Sequence, residues 1–284
     1  MGTHSGCIYE KENRNTGVGL KSIQSSQNPL IRNIAVLQQK SRERNKQGLF
    51  TVEGLNEIRL CLQAGFVLEH ILFCPDWLPA ESLQEELGLT SNASMIEVSA
   101  PVLSPLMYRT AVRNALAVVH KQNKGLQDLQ GNASGVYLIA ECMEKPGNVG
   151  ALLRTADAIG ASAVILTGNG TDLYNPNVIR SSVGCVFTMP VIQCSNEDAF
   201  AFLEHNKIRV FTTFMESAVA SWETDLKAPV ALVVGTESTG LSEAWRRPGF
   251  TNVNIPMLGK VDSLNVSVAA SLLLYEARRQ NNKD

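Results

Sequence analysis

The sequence predicts an α/β protein with a mainly parallel sheet in its second half, preceded by a smaller α/β module. Three observations carry that prediction. From residue 136 onward, short apolar runs alternate with helical stretches, the pattern of parallel strands covered on both faces. Before it, the polar segment KQNKGLQDLQGNAS, with two glycines, separates the halves as a linker would. A chain of 284 residues with 44% hydrophobic and 18% charged positions is also large enough for two cores. The expected organisation is a flexible tail over 1–24, an α/β module over 25–120, a linker over 121–135 and a larger α/β domain over 136–284.

Residues 1–24 show no sustained period, which predicts a loose tail. Asn28-Pro29 then punctuates the chain, and Leu30, Ile31, Ile34 and Leu37 recur at helical spacing, so a helix starts there. It runs into a basic stretch in which Arg32, Lys40, Arg42, Arg44 and Lys46 face the single acid Glu43. Apolar runs at Val67–Phe73, Met95–Val98 and Ala115–His120 predict strands, separated by helices over Asn56–Ala64, Glu81–Leu87 and Pro101–Arg109. In the second half the strand-like runs are Val136–Ala140, Ala163–Leu166, Phe187–Ile192, Arg209–Phe214, Val230–Val234 and Asn252–Pro256. Helices are expected at Val149–Ile159, Pro176–Val183, Glu197–His205, Ser242–Arg246 and Leu264–Arg279.

The formal net charge of -2 supplies no global attraction to phosphate. Any nucleic-acid contact must come from a local patch, and the stretch from Arg32 to Lys46 has the largest basic excess; a solvated helix end is the alternative reading. The six cysteines contain no C-x-x-C pair, no signal-like segment opens the sequence, and no run of about 18 apolar residues occurs. These features predict a cytoplasmic protein without a membrane span. The four histidines stand isolated, so neither a zinc site nor a Ser-His-Asp triad is expected.

Ligands in parallel sheets sit at the carboxyl ends of the strands, which directs attention to three loops. In EKPGNVGALLRT, Pro146-Gly147 makes a turn, Asn148 is placed to cap the next helix, and Arg154 falls on the flank of its buried stripe. In VVGTESTGL, Gly235 and Gly240 have the spacing of a phosphate-binding loop, but Leu241 stands where the lysine is required and Glu237 would repel a triphosphate. In NIPMLGKVDSLNVSVAASLLLYE, Ser263 and Asn265 fall at the expected start of a long apolar helix, where unpaired backbone N–H groups point outward. Each loop alone is also compatible with ordinary turns and caps. A dinucleotide fingerprint is missing, because Leu173 follows Gly168 and Gly170 at the third glycine position.

Taken together, N-x-G-x-x-x-R-T at Asn148–Thr155, V-V-G-T-E-x-x-G-L at Val233–Leu241 and I-P-M-x-G-x-x-x-S-L-N-V-S-V-A at Ile255–Ala269 resemble the three motifs of SpoU/TrmH-type RNA 2'-O-ribose methyltransferases of the SPOUT superfamily. Order, spacing and C-terminal placement all match over residues 136–279. The segment from Gln27 to Val119, with FTVEG at Phe50–Gly54, looks like the RNA-binding substrate domain that often precedes this catalytic domain. The resemblance implies a C-terminal trefoil knot, a homodimer with the active site near the subunit interface, and S-adenosylmethionine as methyl donor. It implies donor contacts from the loops holding Thr212, Gly235, Ile255, Met257 and Leu264. It also gives Asn148, Arg154, Glu237, Ser263 and Asn265 as the functional polar residues, with none missing.

The chemistry is consistent with that resemblance. A ribose hydroxyl is a poor nucleophile at neutral pH, so methyl transfer to it needs in-line alignment and help with its proton. A sulfonium donor carries an activated methyl, and no metal is required. Arginine is a poor base, which assigns Arg154 to positioning and phosphate neutralisation. The expected substrate is structured RNA, ribosomal in preference to transfer RNA. The competing reading is a non-catalytic RNA-binding protein that retains the fold; the five intact polar positions speak against it. A Rossmann-type methyltransferase would show G-x-G-x-G after its first strand, where this chain reads ECMEKPGN.

Overall fold

The computed structural model describes residues 20–91, 94–108, 114–129 and 135–281. The expectations for residues 1–19, the end of the 101–109 helix and the centre of the 121–135 linker lie outside them. The first half forms β1 (Lys21–Ile23), α1 (Pro29–Gln39), α2 (Ser41–Gln47), β2 (Leu49–Glu53), α3 (Leu55–Gln63), β3 (Leu68–Phe73), α4 (Ala80–Leu87), β4 (Met95–Val98), α5 (Ala100–Leu103) and β5 (Ala115–His120). Its sheet has the order β1-β4-β3-β5-β2, with β5 antiparallel to both β2 and β3 and the other pairs parallel.

The second half forms β6 (Val136–Glu141), α6 (Pro146–Ile159), β7 (Ala163–Thr167), α7 (Pro176–Ser181), α8 (Cys185–Thr188), β8 (Val191–Cys194), α9 (Asn196–His205), β9 (Arg209–Thr212), β10 (Val219–Ala220), β11 (Val230–Val234), β12 (Thr251–Asn254) and α10 (Val266–Asn281). Its seven strands lie in the order β10-β12-β9-β11-β6-β7-β8, and every pair is parallel. β6, β7 and β11 are buried along their whole length, which is why they read as continuous apolar runs rather than alternating ones.

Several expectations change. Lys21–Ile23 is not tail but an edge strand in register with Ile96–Val98. The first helix does not run through the basic stretch: Lys40 adopts an extended conformation between α1 and α2, and Gly48 closes α2 in the left-handed region. Phe187–Ile192 is not one strand. Gly184, at φ 83°, starts the short turn α8, and the strand begins only after Pro190. Tertiary packing explains the difference, since Phe187 turns inward to meet Phe66 edge-on at 5.2 Å and Phe50 at 6.1 Å. The described part of the 121–129 segment is not a free tether either: Gln122 accepts a hydrogen bond from the Tyr174 hydroxyl, and Leu126 and Leu129 pack on the core of the second sheet.

One apolar cluster runs through both halves, from Phe50 and Ile58 to Leu153, Phe187 and Leu274. Phe50 stacks on Tyr174 with ring centres 4.4 Å apart. Cys61 and Cys74 are buried, whereas Cys142, Cys185 and Cys194 keep partial exposure. No helix among the described residues is long and apolar enough to cross a membrane.

Candidate active site at the carboxyl ends of the parallel strands

The loop after β6 leads straight into α6. Pro146 occupies its first turn, where a missing N–H costs nothing, and Lys145 rather than Asn148 stands at the cap. Asn148 therefore keeps its amide free for contacts outside the helix. α6 can lie close to α7 because residue 150 is glycine: a Cβ there would sit 1.9 Å from Ser181 Oγ and 2.7 Å from the Ser182 backbone nitrogen. Ser181 in turn donates to the Pro146 carbonyl at 3.3 Å.

The loop after β11 folds back tightly, with Thr236 and Gly240 exchanging backbone hydrogen bonds of 3.0 and 3.1 Å. Gly235 faces Gly240 so closely that a Cβ would meet the Gly240 carbonyl carbon at 2.1 Å. The base of this loop is fixed by Glu141 at the end of β6. That buried carboxylate accepts from Ser242 N at 2.7 Å, Ser242 Oγ at 2.6 Å and Asn196 Nδ2 at 2.7 Å.

The third loop ends at α10, which starts at Val266 and not at Leu264. The reason is Asn265, whose side-chain oxygen accepts from Ser267 N at 3.0 Å and so caps the helix. Ser263 lies before the cap and its hydroxyl turns to Asp262 at 3.2 Å. α10 then packs on α6, where Ser271 donates to Thr155 at 3.1 Å.

The three loops meet at Glu237. Its carboxylate accepts from Asn148 Nδ2 at 3.2 Å, from Asn265 Nδ2 and from the Lys145 ammonium, and Asn265 also donates to Asn148 Oδ1 at 3.3 Å. The hydrogen bond from Lys145 comes first among the causes that hold the Glu237 carboxyl below the ordinary glutamate range, followed by the one from Asn148. Of the five polar candidates, Asn148, Glu237 and Asn265 are thus brought together. Arg154 is exposed on α6 with no hydrogen bond or ion pair among the described residues, and Ser263 stands apart on the rim of the adjoining pocket.

That pocket, about 140 Å³, is lined by Thr213, Asn254, Ile255, Met257, Ser263 and Leu264 among others, with Val253 and Leu273 as apolar walls. Three of the five expected donor-binding residues line it. Thr212 does not: it is fully buried and donates to Asn252 Oδ1 at 2.8 Å, leaving Thr213 at the wall. Gly235 is buried in its own turn. Asn254 Oδ1 is buried without a partner beside the apolar walls, and Thr213, Asp262 and Ser263 supply the other polar groups of the lining. Such a lining fits part of a nucleoside donor, apolar against its flat base and ready to accept from an amino group.

Sequence reasoning missed Lys145, Glu141 and Asn254. Lys145 and Asn254 stand inside the loops singled out, but neither pattern nor charge marked them. Among the described residues no group of three or more His, Cys, Asp or Glu is arranged to hold a metal ion.

In the basic stretch, Arg32, Lys40, Arg42 and Lys46 are exposed. Arg44 is not available to phosphate: it is 1% exposed, bonded to Asp172 at 2.6 Å and to the Leu37 carbonyl at 2.7 Å. The helical break at Lys40 turns it inward.

Comparison with known proteins finds matches in both halves of the chain. The model of the SpoU rRNA Methylase family matches residues 135–275, and that of the MRM3-like substrate binding domain matches residues 28–117. A 23S rRNA (guanosine(2553)-2'-O)-methyltransferase of Bacillus subtilis strain 168 is 28% identical over 91% of this chain and 100% of its own length. A crystal structure of an RNA 2'-O ribose methyltransferase is 39% identical, with a TM-score of 0.78 over 91% of this chain and 98% of that one. An AdoMet-bound rRNA methyltransferase from Sinorhizobium meliloti has a TM-score of 0.82 at 28% identity, covering 92% and 98%.

Proposed function

Because the chain belongs to the SpoU rRNA methylase family, we propose that it transfers a methyl group from S-adenosylmethionine to a ribose 2'-hydroxyl of ribosomal RNA. The observation that carries the reading is the convergence of Asn148, Glu237 and Asn265, from three separate loops, beside the pocket lined by Ile255, Met257 and Leu264. When bound, the donor supplies a methyl activated on a sulfonium. The chain's own groups would hold and orient it: Ile255, Met257 and Leu264 would supply the walls, and Asn254, whose Oδ1 has no partner, would be the acceptor nearest to it.

Arg154, exposed and unpaired, is assigned to the RNA side, where its fixed charge neutralises a phosphate next to the target ribose. Ser263, on the pocket rim, orients the ribose. Asn148 and Asn265 keep Glu237 in place, and Lys145 balances its charge. The proposal includes the remaining family features. A C-terminal trefoil knot follows from membership of the family, and the strand order and the packing of α10 on α6 are compatible with it. A homodimer is supported by Val268, Leu272 and Tyr275, an exposed apolar stripe at helical spacing on α10, next to the face that carries Arg154. The division into a substrate-binding module and a catalytic domain, and a cytoplasmic location, belong to the same reading.

The test is methyl transfer. The purified chain is incubated with methyl-labelled donor and with 23S ribosomal RNA transcript or total RNA from cells lacking the gene, and the RNA is digested to nucleosides. Label in a 2'-O-methyl nucleoside is expected. Donor and RNA binding without transfer to either RNA would establish the non-catalytic reading instead.

A further inference from the structure

Between β2 and α7 the two halves of the molecule leave a cleft of about 260 Å³. We propose that it is a subsite for one nucleobase of the RNA substrate; the proposal rests on the function given above. Thr51 and Arg180 line it, and each has one side-chain atom buried behind the wall without a hydrogen-bond partner, Thr51 Oγ1 and Arg180 Nε. Thr51 is 2% exposed. A buried polar atom left unpaired is costly, and two at one cleft mark the place for a polar occupant. At the mouth stands Tyr108, 67% exposed, with the Arg180 guanidinium stacked 3.9 Å over its ring.

The lining selects a base over a phosphate. Arg180 is accompanied by the Glu53 carboxylate, which would repel an anion. Glu53 is itself engaged, accepting from Tyr108 N at 2.8 Å and Asn114 Nδ2 at 3.2 Å, and so holds Tyr108 in place. The remaining walls include Leu106 and Ile179. A flat neutral heterocycle with hydrogen-bonding edges meets all of these demands: single-stranded bases are held by stacking on tyrosine or arginine planes and by edge contacts.

Position agrees with this role. Arg180 is followed by Ser181, which bonds to Pro146 at the start of the helix that bears Asn148. The cleft is thereby linked through α7 to the helix that bears Asn148, and a base held there would contribute to the choice of site.

Thr51→Val and Tyr108→Ala are assayed with the full chain for affinity toward a 23S ribosomal RNA transcript, for donor affinity and for melting temperature. Tyr108→Ala is expected to weaken RNA binding about ten-fold. Thr51→Val is expected to weaken it about five-fold without lowering the melting temperature, because it deletes a hydroxyl that has no partner in the free protein. Donor affinity stays at the parent value in both. If both variants bind RNA within two-fold of an active parent, the cleft holds only water and the subsite is refuted while the methyltransferase reading stands. A lower melting temperature for Thr51→Val with unchanged RNA binding likewise refutes it. A parent that binds neither donor nor RNA removes the function and the subsite together.

Discussion

Arg44 Nε lies 2.6 Å from Asp172 Oδ2, and the two nearly buried side chains join segments 128 residues apart in the sequence. Removing Arg44 leaves Asp172 with only Lys121, 3.9 Å away, so the cost approaches the roughly 3–5 kcal/mol of an uncompensated buried charge without reaching its upper end. Arg44→Ala is therefore expected to lower the melting temperature by on the order of 10 °C. The double variant Arg44→Met, Asp172→Leu should recover most of the loss, since a matched apolar pair carries no such penalty. Thermal unfolding of the three variants checks this, and equal losses in the single and double variants would contradict it.

The exposed cations nearby behave differently. Arg42 and Lys46 project into solvent, so replacing both with glutamine should leave stability unchanged and weaken RNA binding. Removing one cation from a phosphate flattens the log–log salt dependence by roughly 0.7 to 0.9 units, about 1.5 for the pair. Titrations against ribosomal RNA at several salt concentrations read the slope directly. Parallel lines for variant and parent would mean that these residues only solvate a helix end.

Glu141 is a positioning residue. It holds Ser242 through both backbone and side chain, and Ser242 immediately follows the Gly235–Leu241 turn. Glu141→Gln puts an amide where one acceptor oxygen stood, a loss of about 1.5–3 kcal/mol for hydrogen bonds to a charged group. The turn loosens, and donor affinity should fall several-fold while RNA affinity is kept. Calorimetry with S-adenosylhomocysteine separates the two, and equal losses of both would point to general unfolding.

The Glu237 carboxyl is held below its ordinary value of 4.5, first by the hydrogen bond from Lys145. A depressed carboxylate contributes stability that is present above the unfolded value and is lost as pH falls through the folded one. Lys145→Met removes the leading cause and should move the Glu237 midpoint upward, toward 4.5. An NMR titration of the side-chain carboxyl follows it. An unchanged midpoint would leave Asn148 and Asn265 as the groups that matter.

The sequence made the parallel sheet legible because β6, β7 and β11 are buried on both faces and are written as unbroken apolar runs. Phe187 misled because an aromatic residue beside Met189 and Val191 reads as strand, while its actual burial comes from Phe50 and Phe66, far away in the chain. Arg44 misled for a related reason: composition counts charges, and only the bend at Lys40 decides which of them face water. The polar cluster was partly visible, since Asn148, Glu237 and Asn265 sit at strand ends or a helix start. Lys145 and Glu141 act through partners about 100 residues away, and no local spacing announces such contacts.

The sharpest separation of roles concerns Arg154 and Asn265. Arg154 carries a full charge on an exposed helix face and touches neither the pocket wall nor the Glu237 cluster. If it serves the RNA, Arg154→Ala should abolish methyl transfer and leave donor affinity within a few-fold of the parent. Asn265 has several duties at once: it caps α10, bonds Glu237 and follows Leu264 of the pocket wall. Losing the cap alone costs about 1 kcal/mol. Asn265→Ala should therefore lower the melting temperature, weaken the donor and reduce transfer together. Donor titration, melting and single-turnover transfer on both variants give the comparison. Loss of donor binding in a folded Arg154→Ala protein would move that arginine from the RNA side to the donor side of the site.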